Sequence, residues 1–195
     1  MSDAKQPAPP TTDPAAAPVI LITAGTAGVG AAAARLFARA GWRVVANYKT
    51  DTARAQALQR ELATAGPPPV VLQADLGSRP AVRQLVADAA AAAGGRLDAV
   101  FSNGGWTRGR DLADLDDNVD DDDWDRCFDL NVKSHLWLLH AARPFLERAE
   151  GAFVTTASLA GVTVSGSSMV RAGPCPDLSQ ARAAVRPPRE RAGRR

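Results

Sequence analysis

The stretch Thr23-Ala24-Gly25-Thr26-Ala27-Gly28-Val29-Gly30 decides the fold, because it connects a short apolar run, residues 19–23, to a helical segment, residues 28–40. A glycine-rich turn between a first strand and a helix lets the backbone approach a pyrophosphate, which meets the free N–H groups and positive dipole of the helix. A tight turn that binds no ligand is the alternative. The glycine-rich turn stands at the start of a series of alternating strands and helices, and this position favours a dinucleotide site over a turn without a ligand.

Segments of strand and helix type alternate along the rest of the chain. Helices are predicted over residues 51–65 and 78–93, the second with Ser78 as its N-cap. Such alternation indicates an α/β fold of Rossmann type, a doubly wound parallel sheet with right-handed crossovers, truncated after about five strands. The predicted strands are residues 19–23, 43–47, 70–73, 97–102 and 152–157.

A longer helix is predicted before the fifth strand, and Pro144 is expected to bend or end it. His135 and His140 on this helix have no cysteine or carboxylate in metal-ligand spacing, so packing or surface roles are expected for them. The expected apolar face of the helix consists of Trp124, Phe128, Val132, Leu136 and Leu139.

Composition divides the chain into three parts. Residues 1–18 hold five prolines and are predicted to be a disordered leader, residues 19–168 to be a folded dinucleotide-binding domain, and residues 169–195 to be a disordered tail rich in Arg and Pro. No apolar run reaches the roughly 20 residues that span a bilayer, and a signal peptide is not expected. Cys127 and Cys175 are far apart, so we expect a reduced, cytoplasmic protein without a metal site.

The formal net charge of +2 is unevenly distributed. Seven arginines against two carboxylates give residues 171–195 a charge of +5 and leave −3 for the remainder. The basic excess belongs to the tail, which argues against nucleic-acid binding by the domain itself. The acidic run, residues 116–123, lacks the alternating ligands and the glycine of a calcium loop, so a solvated loop with acidic charge at a helix N-terminus is expected.

Five motifs occur in an order that resembles the short-chain dehydrogenase/reductase family. The turn at residues 23–30 is similar to the family's Thr-Gly-x-x-x-Gly-x-Gly, and Asp75-Leu76 follows the third strand, where the family contacts adenine. Residues 102–105, Ser-Asn-Gly-Gly, resemble the Asn-Asn-Ala-Gly motif after the fourth strand. Asn131 lies in Leu-Asn-Val like the active-site Asn, and Ser158 follows the fifth strand like the substrate-binding Ser.

The resemblance implies an NAD(P)-dependent oxidoreductase that acts on a small-molecule carbonyl or alcohol, with Asn131 and Ser158 as catalytic residues. Asn47 and Lys49 end the second strand without a carboxylate, which favours NADP, as NADPH, over NAD. A solvated loop charge is the alternative for Lys49. The implied cofactor-binding residues are Thr23, Gly25, Thr26, Gly28, Val29, Gly30, Asn47, Lys49, Asp75, Leu76, Asn103, Gly104 and Gly105.

The sequence departs from the family pattern in places. Ala24 stands where the family has its first glycine, and a Cβ there tolerates fewer backbone angles. Ser102 and Gly104 also differ, although both are small. The family's Tyr-x-x-x-Lys pair is expected about a dozen residues after Ser158 and is missing. The one tyrosine is Tyr48, and the lysines are Lys5, Lys49 and Lys133.

Without this pair, carbonyl reduction by the family mechanism is predicted to be largely or wholly lost, because losing a positioned general acid costs about 10²–10⁴ in rate. Arg171 and Cys175 lie near the expected position, but arginine does not release its proton near neutrality and a cysteine would need an ordered site. The alternative function is a non-catalytic NADP-binding or interaction module.

The composition changes abruptly after Met169, and the residues that follow are rich in Arg and Pro. A shifted reading frame in GC-rich coding DNA would produce such a switch, and a genuine variable tail is the other interpretation. In the family, the long helix and the helix with the Tyr-Lys pair also build the subunit interface. Oligomerisation through the long helix is therefore expected to be possible but compromised.

Overall fold

The computed structural model describes residues 17–158 and Ser168, and these form one parallel sheet with helices on both faces. The predictions for the leader before residue 17, for residues 159–167 and for the tail lie outside the described residues. The strands are β1 Val19–Ile22, β2 Arg43–Tyr48, β3 Val70–Gln73, β4 Ala99–Ser102 and β5 Ala152–Thr155. The helices are α1 Gly28–Arg39, α2 Thr52–Leu62, α3 Arg79–Ala92, α4 Asp121–Phe128 and α5 Ser134–Ala149.

The sheet has the order β3-β2-β1-β4-β5, and every neighbouring pair is parallel. All four residues of the central β1 are buried, which is why its sequence is an unbroken apolar run. α3 and α5 cover one face, with Leu85 and Leu138 in the core, and α1 and α2 cover the other, with Ala38 and Leu58. The predicted doubly wound sheet is confirmed, and its order reverses beside β1, where such folds leave a crevice.

Asp98 joins three strands at the opposite edge of the sheet. Its carboxylate accepts a hydrogen bond from the Val19 N–H at 2.8 Å and pairs with Arg96 at 2.7 Å. Its backbone N–H donates to the Val19 carbonyl, and its carbonyl accepts from the Ala152 N–H, both at 2.9 Å. The starts of β1, β4 and β5 are therefore held by one residue.

The predicted long helix is interrupted by a π-helical turn, Asp129–Lys133, between α4 and α5. This turn holds about one residue more than an α-helical turn, which rotates the following side chains by about 100° around the axis. The predicted apolar face is therefore wrong for Leu136, which is 63% exposed. It is also wrong for Phe128, which precedes the turn and is 40% exposed. The side chains of α5 that reach the core are Leu138, Ala142 and Leu146.

Pro144 does not end the helix, because α5 continues to Ala149. A proline inside a helix leaves the carbonyl four residues earlier without its usual N–H donor. That carbonyl belongs to His140, and both His140 and Pro144 are exposed, so solvent can supply the missing hydrogen bond. Within the described residues, no helix combines the length and the apolar character needed to cross a membrane.

We predict that Leu138→Ala lowers the free energy of unfolding by about 2–5 kcal/mol, because this side chain is fully buried between α5 and the sheet. Leu136→Ala is the matched control on the same helix, and its exposed side chain should change stability by less than about 0.5 kcal/mol. Urea unfolding followed by circular dichroism measures both. Equal losses would contradict the orientation of α5.

Candidate functional site

The turn between β1 and α1 presents backbone N–H groups at the carboxyl edge of the sheet. α1 begins after Ala27, which offers no side-chain cap, and its first turn contains no acidic residue. The N–H groups of Gly28, Val29 and Gly30 therefore lack both an intrahelical acceptor and a capping side chain, and the positive dipole end is not neutralised locally. A diphosphate matches this set of donors.

Two glycines of the turn allow close approach of backbone segments. A Cβ on Gly30 would collide with the Ala24 carbonyl oxygen and lie 2.9 Å from the Asn103 amide nitrogen. A Cβ on Gly25 would lie 2.8 Å from the Ile22 carbonyl oxygen. Any side chain at these two positions would therefore push the turn away from the strands that it packs against.

Ala24 has a φ angle of 47°, so the departure from the family pattern falls on a residue in left-handed conformation. A Cβ in this region costs roughly 1–2 kcal/mol relative to the right-handed conformation. The Ala24 N–H donates to the Asn47 carboxamide oxygen at 3.2 Å, which helps hold the strained residue in place. Gly28, at 50°, adopts a similar angle without a side chain.

The buried hydroxyl of Thr23 connects this turn to the segment after β4. It accepts hydrogen bonds from the Asn103 N–H at 2.9 Å and from the Gly104 N–H at 3.0 Å. Gly104 in turn packs so closely on Leu76 that a Cβ there would collide with a Leu76 methyl group. The structure thus brings together the motifs that follow β1, β3 and β4.

Asn47 is 1% exposed, and its side chain is bonded to backbone groups. Its carboxamide oxygen accepts from Ala24, and its NH₂ group donates to the Tyr48 and Ala74 carbonyls, each at 3.1 Å. These bonds join the first turn to β2 and to the end of β3. A direct contact between Asn47 and a cofactor stays a prediction.

Lys49 and Asp75 form an ion pair of 2.7 Å beyond the ends of β2 and β3. The hydrogen bond from Lys49 is the main cause that lowers the pKa of Asp75, and the Gly77 N–H adds to it, so this carboxyl group is ionised at neutral pH. Asp51, the next carboxylate along the chain from Lys49, is occupied in capping α2, where it accepts from the Arg54 N–H at 2.9 Å. No sequence pattern indicated the Lys49 pair.

Asn131 lies in the π-helical turn and connects it to the loop after β4. Its oxygen accepts from the Trp106 N–H at 2.7 Å, and its NH₂ group donates to the Trp106 carbonyl at 2.8 Å. Gly105 leaves room for this arrangement, because a Cβ there would lie 2.9 Å from the Asn131 oxygen. The side chain therefore fixes backbone next to the fourth-strand motif.

Ser158 follows β5 at the same edge of the sheet and is exposed. Two residues earlier, the Thr156 hydroxyl donates to the Asn103 carboxamide oxygen at 3.1 Å, which links the end of β5 to the motif after β4. The catalytic roles of Ser158 and Asn131 stay predictions. Tyr48, the one tyrosine of the chain, lies at the end of β2.

No pattern in the sequence indicated that His135 bonds to a strand, although packing was one of its expected roles. The side chain is 6% exposed, and its Nδ1 lies 2.5 Å from the hydroxyl oxygen of Ser102 at the end of β4. Burial lowers the pKa of His135, so the imidazole is neutral at neutral pH. The spacing of four residues from Asn131, about one helical turn, is the one sequence signal that places it near the site.

The prediction of a solvated acidic loop is confirmed for Asp116, Asp121 and Asp122, which are exposed, and is wrong for Asp123. Asp123 is 8% exposed, and Arg110 pairs with Asp117 at 3.1 Å, with Asp120 at 3.0 Å and with Asp123 at 2.7 Å. Arg108 adds a second bond to Asp123 at 3.1 Å. The acidic bias at a helix start is confirmed, since Asp120 caps α4. In the described part of the chain, no group of His, Cys, Asp or Glu side chains is arranged to hold a metal ion.

Comparison with known proteins agrees with the arrangement of these motifs. The family profile described as short chain dehydrogenase matches residues 18–170. The chain belongs to the short-chain dehydrogenase/reductase family. A protein named as ketoacyl reductase 2 of the granaticin polyketide synthase of Streptomyces violaceoruber is 35% identical over 159 residues, 81% of this chain. The chain spans 61% of that relative's length.

Solved structures of the family share the fold. The NADH-dependent reductase A1-R', complexed with NAD, matches with a TM-score of 0.74 and 30% identity over 82% of this chain and 68% of its own. A short chain dehydrogenase from Burkholderia cenocepacia, in complex with NADP, matches with a TM-score of 0.70 and 31% identity. The match covers 85% of this chain and 63% of that protein. Both nicotinamide cofactors occur among these neighbours, so the likeness does not choose between NAD and NADP.

We predict that the free energy of unfolding falls as the pH decreases below about 6.5, because the folded pKa of His135 lies below its ordinary value. Below this pH the unfolded state binds more protons than the folded state. The stabilisation is therefore complete above about pH 6.5 and is lost as the pH falls from there to the pKa of His135 in the folded state. The carboxyl groups of Asp75 and Asp117 also have lowered pKa values, so they act in the same direction only below about pH 4. Urea unfolding at pH 7.5 and 5.5 measures the difference.

His135→Leu should flatten this dependence between pH 7.5 and 5.5, whereas His140→Gln, at an exposed position of the same helix, should retain it. If the pH dependence of the free energy of unfolding persists unchanged in His135→Leu, a group other than His135 causes it.

Proposed function

We propose that this chain is the dinucleotide-binding part of a short-chain dehydrogenase/reductase and binds NADPH in preference to NADH. The observation that carries the proposal is the start of α1, where the N–H groups of Gly28, Val29 and Gly30 have no cap beside the glycine-packed turn. These donors would hold the diphosphate, with Thr26 in the same turn. Asp75 and Leu76 would face the adenosine half, and the segment 103–105 the nicotinamide half.

A bound nicotinamide supplies hydride chemistry for a carbonyl or alcohol substrate, and the residues of this chain would orient it. Asn131 and Ser158 flank the edge of the sheet where that half of the cofactor would lie. Along the sequence, Arg171 and Cys175 stand near the position where the family has its catalytic tyrosine. We therefore propose turnover at least about 10²–10⁴ below that of a complete site.

Gly30→Ala is expected to weaken NADPH binding by at least about tenfold, because a Cβ there collides with the Ala24 carbonyl and displaces the N–H groups. Gly109→Ala is the matched control, since a Cβ at Gly109 meets no atom within 4 Å. Fluorescence titration with NADPH and NADH measures the affinity, and thermal unfolding of each variant verifies that it is folded.

If the folded, unmodified chain binds neither dinucleotide, the proposed function is wrong. The same samples are then assayed for NADPH oxidation with a panel of aldehydes and ketones. Binding without measurable turnover would support the non-catalytic module, and turnover at rates usual for the family would refute the proposed impairment.

The preference for NADPH rests on Lys49 and on the lack of an open carboxylate beside it. In the free protein Lys49 is paired with Asp75, and Asp51 is occupied as a helix cap. A 2′-phosphate would offer Lys49 a second anionic partner, whereas the ribose 2′-OH of NADH offers a neutral one.

Lys49→Ala is expected to weaken NADPH binding by about tenfold and to leave NADH binding unchanged, because a hydrogen bond to a charged group is lost for NADPH alone. Arg83→Ala removes the same charge from an exposed site on α3 and serves as the control. Equal effects on the two dinucleotides, measured by fluorescence titration, would remove the basis for the preference.

We also propose that the protein is cytoplasmic and that α5 is a surface for self-association that is compromised in this chain. The support for self-association is a groove of about 780 Å³ between α3 and α5. It is lined by Trp137, Phe145 and the exposed Leu136, and also by Arg79 and Arg83. Burying this surface against a second copy would remove apolar area from water.

A further inference from the structure

A buried polar pair joins β4 to α5 in the middle of the described fold. Ser102 is the last residue of β4 and is fully buried, and His135 is the second residue of α5 and is 6% exposed. The Ser102 Oγ and the His135 Nδ1 lie 2.5 Å apart. Because a buried polar group without a partner costs free energy, each of these side chains depends on the other.

The two partners adjoin the two segments that flank the nicotinamide half of the proposed site. Ser102 directly precedes Asn103, whose N–H is held by the Thr23 hydroxyl. His135 follows Asn131 by about one helical turn, and Asn131 is bonded to the backbone of the loop after β4. The Ser102–His135 bond therefore connects the end of β4 to the start of α5, next to the two segments that flank the proposed nicotinamide half.

We infer that His135 is a positioning residue for dinucleotide binding, which acts by fixing the end of β4 and the start of α5 relative to each other through Ser102. The inference rests on the proposed function. It concerns the nicotinamide half alone, because the adenosine half would lie at β2 and β3, whereas the Ser102–His135 bond joins β4 to α5.

The direction of donation depends on the tautomer of the neutral imidazole. The Ser102 hydroxyl donates to Nδ1 when the ring hydrogen is on Nε2, and the ring donates to the hydroxyl oxygen when it is on Nδ1. Burial is the cause that lowers the pKa of His135, and no charged side chain of the described region adds to that shift. The ring is therefore neutral at neutral pH, and either tautomer keeps a hydrogen bond to Ser102.

The test compares His135→Leu, which is of similar size but removes the hydrogen-bonding nitrogen, with His135→Asn, whose short carboxamide can form a hydrogen bond near the position of Nδ1. Ser102→Ala removes the same bond from the strand side with less change of volume. Each variant is titrated with the dinucleotide that the unmodified chain binds more tightly, NADPH or NADH. It is also titrated with the matching adenosine fragment, 2′,5′-ADP or ADP.

We expect His135→Leu and Ser102→Ala each to weaken dinucleotide binding by about tenfold and to leave the fragment's affinity unchanged. His135→Asn should recover most of the loss. The double variant, His135→Leu with Ser102→Ala, should bind no more weakly than either single one, because both remove one bond. The ¹⁵N chemical shifts of His135 should show a single neutral tautomer in the unmodified chain and change in Ser102→Ala.

Equal losses for dinucleotide and fragment would show a general structural role and overturn the inference, as would additive effects in the double variant or unchanged dinucleotide affinity in all variants. If the unmodified chain binds neither the dinucleotides nor the fragments, the proposed function fails and takes this inference with it. If it binds them and the variants do not differ, the inference fails alone.

Discussion

The rest of the site depends on the two hydrogen bonds that the Thr23 hydroxyl accepts from the segment after β4. This hydroxyl is fully buried and accepts the N–H groups of Asn103 and Gly104, so water does not compete for these bonds. Leaving a buried N–H unsatisfied costs about 1–3 kcal/mol, which makes the join between β1 and β4 stiff. The close contacts of Gly30 with Asn103 and of Gly104 with Leu76 can form only while this join holds the two segments together.

Polar side chains at the carboxyl edge mostly bind backbone rather than project into the crevice. Asn47 holds the first turn against β2, and Asn131 holds the loop after β4 against the π-helical turn. A site built in this way offers a ligand mainly backbone N–H groups, which suit a diphosphate that every dinucleotide shares. Discrimination between dinucleotides then falls to the few charged side chains at the rim, of which Lys49 is already engaged with Asp75.

Local pattern was enough to predict the sheet, because strand and helix periods depend on residues within a few positions of each other. The range of β3, residues 70–73, was predicted to the residue, and Ser78 caps α3 as expected. Pairings between separate elements leave no such local trace, and for this reason the Ser102–His135 bond was missed. The π-helical turn rotated α5 away from the predicted face, since a single extra residue in a turn has no periodic signature of its own.

Arg110 makes the loop beside the site unequally vulnerable to change. Loss of any one of its three aspartate partners leaves the guanidinium with two. Loss of the guanidinium leaves three carboxylates close together in a segment that holds ten aspartates between residues 111 and 129. A substitution of Arg110 therefore removes the attraction of three carboxylates at once, whereas a substitution of one aspartate removes a single ion pair.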